Sequence, residues 1–471
     1  MERKARLRIV CLALLSGPAC AHALDLWDAY QLALTKDPAY QREVNLHEAT
    51  RQRIPQARSA LLPQIDATAA HSRGYLETDP GDEHLSERGD GLAGGPENVA
   101  IPPFQFEPSP IPREDDYHTS RASVTLSQTL FDRASSRALD SARSQADEAG
   151  LQLANARQAL ILETAGAYYD YLSAEDALDT ARLELEAVRT QRQLTERRYE
   201  EKLGTLTDVH ESRARMELAR VDIIDAGNEQ ALARHRLAKL IGGPVDDVHR
   251  LPESFDPPPL VPSDRDYWLE QALKHSLDVR ISSQQATTAE LELERQRSGH
   301  WPTLSLVGES TFEQDGSSAV YAGRDQFRNE VSIRLRIPLF RGFGIQSRVK
   351  EAHYRMFAAE QGVLDAEAGI ARDVGAAYDS LQASSRRVEA LRQAYEQSLS
   401  ALELRKQGYL EGLSSNLNLL DAFRDAYRAK RQWLQSRYRF LTDYLTIHSL
   451  SATVGDDLVK RLDGYLEEEP E

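Results

Sequence analysis

Cysteine is nearly absent from the sequence: the 471 residues contain two, Cys11 and Cys20, both close to the N-terminus. If that segment is removed on export, the mature chain contains no cysteine at all. Disulfide bonds, cysteine-ligated metals and a thiol nucleophile are then excluded.

Long apolar runs and an excess of positive charge are also missing. No stretch reaches the ~18 apolar residues that a membrane-spanning helix requires. The formal net charge is −17, which argues against nucleic-acid partners, because phosphate binding requires a basic surface.

The first 23 residues have the layout of a secretory signal peptide. A basic start precedes the short apolar run Ile9–Leu15, and Ala21-His22-Ala23 supplies small residues at a cleavage site. We expect cleavage after Ala23. A lipid anchor on Cys20 is the alternative, but Gly17-Pro18-Ala19 matches such a site poorly. Either form leaves the cytoplasm.

The remaining chain contains an internal repeat. Pro63 recurs as Pro302, 239 residues later, and Leu130-Phe131 recurs as Leu339-Phe340, 209 residues later. We predict a first copy at 24–243, a proline-rich linker at 244–263, and a second copy at 264–471 that ends in an acidic tail. The change of offset indicates an insertion in the first copy, in the proline-rich loop Asp79–Tyr117.

Each copy has the same predicted plan: a helix, two strands, a very long helix, a tight turn and a second long helix. The first helices are expected at Leu26–Arg58 and Tyr267–Arg297. The hairpins are expected at Arg133–Leu203 with Thr207–Leu240, and at Gln346–Gln407 with Ser415–Leu450. In the first long helix, small and apolar residues recur in steps of three and four, as in a coiled coil, from Ala142 to Val188. The fold class is therefore mainly α with a small β part, duplicated in tandem.

The strands alternate apolar and polar residues, which gives the sheet one face of each kind. Val331, Ile333 and Leu335 alternate with polar residues that include Arg334 and Arg336. One interpretation is a soluble antiparallel sheet whose apolar face covers a core. The other is a membrane barrel. Because open sheet edges are not tolerated in lipid, four strands must then close by oligomerisation, and three chains give the smallest open pore.

The turns of the hairpins carry helix stop and start signals. In the first copy, Leu203-Gly204-Thr205-Leu206-Thr207 provides glycine as a C-terminal stop and threonine as an N-cap. Gly412 and Leu413, followed by Ser414-Ser415, do so in the second.

Together these segments resemble the TolC family of outer-membrane efflux and secretion ducts. The resemblance covers nearly the whole mature chain. Its motifs include Leu61-Leu62-Pro63-Gln64, Ile337-Pro338-Leu339-Phe340-Arg341-Gly342, and Gly408-Tyr409-x-x-Gly412 followed by Leu419-Leu420-Asp421-Ala422.

The resemblance implies a homotrimer with a twelve-stranded barrel in the outer membrane and a coiled-coil α-barrel that extends into the periplasm. A periplasmic adaptor and an inner-membrane transporter of the ABC or RND type are expected to dock at the hairpin tips, at Gly204, Thr205, Gly412 and Leu413. Substrates cross passively. No cofactor, metal or nucleic acid is expected, and Arg334 and Arg336 are expected to face the lumen.

Two sets of entrance residues follow from the same resemblance. Asn418 and Asp421 occupy the positions of the acidic ring at the periplasmic constriction, and Asn418 departs from the acidic pattern. Tyr409 and Asp208 match the latch that holds the entrance shut, while Ser414 replaces the latch arginine.

The sequence contains no HExxH, GxSxG, GxGxxG or Walker-type motif, so no enzyme is predicted. The alternative to a duct is a periplasmic coiled-coil scaffold with a soluble sheet. The cargo, the specific transporter and adaptor, and the way the closed state is held stay open.

Overall fold

The computed structural model describes residues 23–77, 114–315 and 324–466. The predicted signal peptide, most of the insertion and the acidic tail Glu467–Glu471 lie outside these ranges. The first part of the chain forms three short helices, two strands and two long helices: α1 (Leu26–Lys36), α2 (Pro38–Arg51), α3 (Arg53–Ser59), β1 (Gln64–Glu77), β2 (Glu114–Phe131), α4 (Arg133–Glu200) and α5 (Leu206–Ile241).

The second part repeats this order with two short helices instead of three, and a further short helix follows. Its elements are α6 (Arg265–His275), α7 (Leu277–Arg297), β3 (Thr303–Asp315), β4 (Arg324–Arg336), α8 (Gly344–Leu410), α9 (Asn416–Leu450) and α10 (Asp456–Asp463). With 68 residues, α4 is about 100 Å long. No helix within the described ranges contains an apolar stretch of the length that a bilayer crossing requires.

The predicted single helices Leu26–Arg58 and Tyr267–Arg297 are wrong, because both are interrupted. The first breaks at Asp37, whose carboxylate accepts the backbone N–H of Tyr40 at 2.8 Å, while Pro38 has no N–H with which to continue the ladder. The second breaks at Ser276, whose backbone turns to ψ 130°. These breaks lie 239 residues apart, so the bend occurs at repeat-equivalent positions although only one carries proline.

The four strands form one antiparallel sheet in the order β1-β2-β3-β4. Gln64 pairs with Ser127 in the first hairpin. The residues 239 and 209 positions further on, Thr303 and Arg336, pair in the second hairpin. The two hairpins therefore share one register. Their strands contain 13 to 18 residues, which is enough to cross a bilayer at a tilt.

The predicted alternation of the sheet is confirmed, and its apolar face is uncovered. Ile65 is 70% exposed, Val331 78% and Ile333 69%. Arg334 and Arg336 lie on the opposite face, across from Ser305 and Thr303 of β3. Within the described residues, the apolar face of the sheet is therefore not packed against a hydrophobic core.

The described residues divide into two compact units. One contains the residues up to Thr50 together with Gln145–Thr287 and the residues from Phe357, and the other contains Arg51–Ser144 and Thr288–Met356. The sheet lies in the second unit. The first unit has a large apolar core, and its most deeply buried members include Tyr30, Tyr168, Tyr169, Leu172, Leu237, Phe440, Leu441 and Ile447.

The coiled-coil seam predicted for the first long helix is largely confirmed by burial. Its buried members are Ala142, Ala146, Ala149, Leu160, Thr164, Ala167, Tyr171, Leu178, Ala181 and Val188. The segment between α5 and α6 contains no helix or strand, as expected for a linker. It is nevertheless packed in place, because Val245, Val248 and Leu251 are buried in the core.

Candidate functional site

The two hairpin turns have the same backbone geometry. The Leu203 N–H donates to the Arg198 carbonyl at 2.7 Å, and the Leu413 N–H donates to the Gly408 carbonyl at 2.7 Å. In the second turn the left-handed residue is Gly412, with φ of 81°, as the sequence predicts. In the first turn it is Lys202, with φ of 60°, and not the predicted stop residue Gly204. A lysine in this region costs roughly 1–2 kcal/mol that glycine avoids.

Each turn leads into its second helix through a side-chain cap. Thr205 forms a reciprocal capping box with Asp208: its hydroxyl accepts the Asp208 N–H at 3.1 Å, and the Asp208 carboxylate accepts the Thr205 N–H at 3.0 Å. Ser415 caps α9 by accepting the Asn418 N–H at 3.2 Å. Leu413, which lies in the turn between α8 and α9, is 82% exposed. Of the predicted tip residues, Thr205, Gly412 and Leu413 are therefore exposed and Gly204 is half-buried.

Tyr409 and Asp208, the residues predicted to form the latch, do not bond to one another among the described residues. The Tyr409 hydroxyl lies 3.3 Å from Thr195 Oγ1, whereas the Asp208 carboxylate is occupied by its own cap. Ser414, at the position of the missing latch arginine, bonds to Gly408 through its backbone N–H at 3.0 Å. An arginine nevertheless reaches the tyrosine, because the Arg198 guanidinium lies 5.0 Å from the centre of the Tyr409 ring.

A buried polar network that sequence reasoning missed lies beneath these residues. The Asn416 carboxamide donates to the Asp208 carbonyl at 3.1 Å and to Ser212 Oγ at 3.0 Å. Its oxygen accepts from Gln191 Nε2 at 3.1 Å and from Thr195 Oγ1 at 3.2 Å. Both amide protons and both acceptor positions of Asn416 are thereby used.

This network joins three helices from the two hairpins. Gln191 and Thr195 belong to α4, Ser212 belongs to α5, and Asn416 is the first residue of α9. All four residues are at most 4% exposed. A signal for them was available in the sequence, since Gln191 and Thr195 continue the three-and-four spacing of the α4 seam beyond Val188. Polar residues at seam positions fix which helices pair and in which register.

The predicted constriction residues lie one turn apart on α9. Asn418 is exposed. Asp421 is half-exposed, and its carboxylate accepts from Arg424 at 3.1 Å. The structure thus places Asn418 and Asp421 on an accessible stretch of α9 and adds a basic partner for Asp421. Among the described residues, no three histidine, cysteine or acidic side chains are grouped to hold a metal ion.

Comparison with known proteins agrees with this architecture. The family model described as outer membrane efflux protein matches residues 29–243 and 268–453. The alkaline protease secretion protein AprF of Pseudomonas aeruginosa is 27% identical, over 90% of this chain and 83% of its own length. The outer membrane protein TolC of Vibrio cholerae is 26% identical, over 92% of each chain.

A solved structure shares the fold. The CmeC outer membrane channel of Campylobacter jejuni superposes with a TM-score of 0.72 at 14% identity, covering 94% of this chain and 90% of its own. With the duplicated hairpins, the four-stranded sheet and a family match over most of its length, the chain belongs to the outer membrane efflux protein family.

Proposed function

We propose that the protein is the outer-membrane exit duct of a tripartite efflux or type I secretion system, conducting substrates passively from an inner-membrane transporter to the outside. The observation that carries this proposal is the exposed apolar face of the sheet. The apolar face exposes large side chains from all four strands, while the opposite face carries charged residues such as Arg334. Examples on the apolar face are Ile65 of β1, Val124 of β2, Phe312 of β3 and Val331 of β4. Lipid is the environment that such a face suits, because exposing this much apolar surface to water is unfavourable.

The sheet also supports a homotrimer. Within the described residues β1 and β4 are edge strands, and unpaired edges are not tolerated in a bilayer. Pairing β4 of one chain with β1 of the next removes every edge when three chains close into twelve strands. Twelve strands leave a lumen, whereas eight are filled by side chains. Arg334 and Arg336, on the polar face, would then line that lumen.

Similar proteins support both transport routes. AprF and the proteases secretion protein PrtF of Dickeya chrysanthemi are named for protein secretion, while the toluene efflux pump outer membrane protein TtgF of Pseudomonas putida is named for efflux. An adaptor and a transporter are therefore the expected partners, and the capped turns at Thr205 and Ser415 are their proposed docking place. No catalytic step is required of the chain.

The entrance is proposed at the hairpin turns. Three copies of Asp421 around a common axis would attract cations, and Asn418 would add an uncharged polar ring beside them. We assign the closed state to Tyr409 and the Asn416 network, with Asp208 contributing its backbone carbonyl to Asn416. Residues 1–23 are proposed to direct export, and the copies 24–243 and 264–471, joined by 244–263, are proposed to contribute equivalent halves of each protomer.

Fractionation and electrophysiology test the proposal together. The full-length protein expressed in a Gram-negative host is expected in the outer membrane, as a species that crosslinks to three chains and forms ion-conducting pores in planar bilayers. A monomer that remains in the periplasmic fraction without detergent, and that forms no pores, would contradict the duct and support the scaffold alternative.

A further inference from the structure

A pocket between α4, α5 and α9 is lined by an unusual number of arginines for so acidic a chain. Its cavity volume is about 170 Å³. Arg424, Arg428 and Arg431 come from one face of α9, three and four residues apart, and Arg215 comes from α5. Like charges at this spacing repel one another along a helix. The pocket therefore concentrates positive charge at some cost to the helix.

Two of the four arginines are neutralised by neighbouring carboxylates. Arg215 forms an ion pair with Glu184. Arg424 contacts Asp421 at 3.1 Å and Asp425 at 3.3 Å. Arg428 and Arg431 form no direct ion pair within the described ranges, and both are exposed to solvent. The charge of Arg431 nevertheless acts on Glu184 in the same lining, where it opposes the rise in the pKa of that carboxyl that burial causes. The pocket thus offers two guanidinium groups with free donors.

Further donors line the same cavity. The Tyr427 hydroxyl is protonated at neutral pH and can donate, and burial raises its pKa above the usual value. The Nε atom of Arg215 is buried and has no hydrogen-bond partner in the described part of the chain. The remaining acidic residue of the lining, Asp222, opposes anion binding.

We infer that this pocket binds the phosphate group of a small solute, either free inorganic phosphate or a phosphate ester, through Arg428 and Arg431. Guanidinium groups form paired, charge-assisted hydrogen bonds with tetrahedral oxyanions, and the cavity has room for one such group. Cations and neutral solutes fit less well, since the two groups without partners are both positively charged.

The site is distinct from the residues assigned to the entrance but adjoins them. Arg424 contacts both the pocket and Asp421, so a bound oxyanion would compete with Asp421 for this arginine. The inference does not depend on conduction, because binding is measurable on the solubilised protein.

Calorimetric titration of the detergent-solubilised full-length protein with inorganic phosphate, at constant ionic strength in chloride, tests the inference. We expect saturable binding of one phosphate per chain. Arg428→Gln and Arg431→Gln should each weaken it about tenfold, the loss expected for one charge-assisted hydrogen-bonded partner. Asp222→Asn should tighten it, because a competing carboxylate is removed. The matched control is Arg372→Gln, an exposed arginine of α8 that pairs with Asp373 at 2.8 Å.

The outcomes separate the possible sources of the ligand. Binding of both inorganic phosphate and glycerol 3-phosphate supports a site for phosphate groups in general, and binding of inorganic phosphate alone supports a site for the free ion. Absence of saturable binding of either, or an equal loss in Arg372→Gln, would overturn the inference. Planar-bilayer conductance of the same preparation reports independently on the proposed function.

Discussion

The side chain of Asn416 donates a hydrogen bond to the backbone carbonyl of Asp208 at 3.1 Å, and this bond joins the two copies of the repeat at their turns. Asn416 opens the second helix of one hairpin, and Asp208 lies in the first turn of the corresponding helix of the other. Because the donor is a buried amide and the acceptor is a main-chain atom, the contact fixes the position of one helix start against the other. Movement of one helix start relative to the other would break this hydrogen bond.

Replacing Asn416 by leucine is expected to loosen the paired turns. Gln191, Thr195 and Ser212 would lose their shared partner, and each buried polar group left unsatisfied costs about 1–3 kcal/mol. Amide hydrogen exchange across residues 188–216 should accelerate, and Tm should fall. The control is Asn418→Leu, two residues along on the exposed side of the same helix, which should change neither. Equal exchange in the two variants would show that the network does not hold the turns.

Tyr409→Phe is expected to raise single-channel conductance, because the hydroxyl next to Thr195 is removed from the assigned closed state. The control is Tyr199→Phe, because Tyr199 is an exposed tyrosine of α4 that lies one turn after Thr195. Asp208 contributes only its backbone carbonyl to the assigned closed state, and Asp208→Asn keeps that carbonyl and an oxygen that can accept the Thr205 N–H, so this variant is expected to conduct like the wild type. Unchanged conductance in Tyr409→Phe would refute the latch assignment.

Asp421→Asn is expected to weaken block of the pore by multivalent cations such as hexaamminecobalt. The reason is that, in the proposed trimer, three Asp421 carboxylates around one axis would create a concentrated negative potential. Asp425→Asn is a close control, because Asp425 also contacts Arg424, at 3.3 Å, and is exposed. Titrating the blocker against single-channel current measures the effect. If both variants are blocked at the wild-type concentration, the acidic ring is absent.

Two neighbouring residues of β4 lie on opposite faces of the sheet, so substituting each one tests which face contacts lipid. Val331→Arg places a charge on the apolar face and is expected to cost about 2–4 kcal/mol if that position lies near the bilayer midplane. Ser332→Arg places the same charge on the polar face and should be tolerated. The measurement is the fraction of each variant recovered in the outer membrane. Equal recovery would indicate that the apolar face does not contact lipid.

His448 is expected to contribute less stability to the helical unit as the pH falls below 6.5. Burial, and to a smaller extent the positive charge of nearby Arg461, lower the pKa of His448 from 6.5 to about 4. The folded state therefore binds this proton less readily than the unfolded state. The stabilising contribution is complete above pH 6.5 and is lost progressively toward pH 4, by as much as about 3 kcal/mol.

His448→Gln should flatten the dependence of Tm on pH between 7.5 and 5, and His275→Gln, an exposed histidine of the same unit, should not. The ring of His448 packs 4.9 Å from Trp268 and bonds to Thr453 at 2.8 Å, so some loss of Tm at every pH is expected in the variant. The quantity that tests the prediction is therefore the slope of Tm against pH. An unchanged slope would remove His448 as its cause.

The fold was largely predictable because its signals are periodic. Alternation in the strands, the seam of α4 and the repeat offsets each extend over many residues, so errors at single positions cancel. The helix break at Ser276 was not predictable in this way, since no proline or glycine marks it and only the three-dimensional packing of the second copy requires it. Lys202 in a left-handed conformation was missed for a similar reason: the glycine two residues later looked like the more suitable stop.

The candidate site was harder to predict than the fold. Its individual residues could be named by resemblance, but their partners depend on which helices meet. Asp208 illustrates this difference: its carboxylate serves its own helix start, and it is its main-chain carbonyl that reaches the second hairpin through Asn416. No pattern within a single helix contains that information.

The shared register of the two β-hairpins has a consequence for symmetry. The seam within one chain pairs Ser127 with Val307, and the repeat offsets carry this pair to Arg336 and Thr68. If the seam between chains copies the seam within them, Arg336 faces Thr68 of the adjacent protomer, and one geometric unit recurs six times around the circumference. The backbone of the paired strands then repeats with nearly sixfold symmetry, which the side chains, the longer β2 and the insertion in the first copy reduce to threefold.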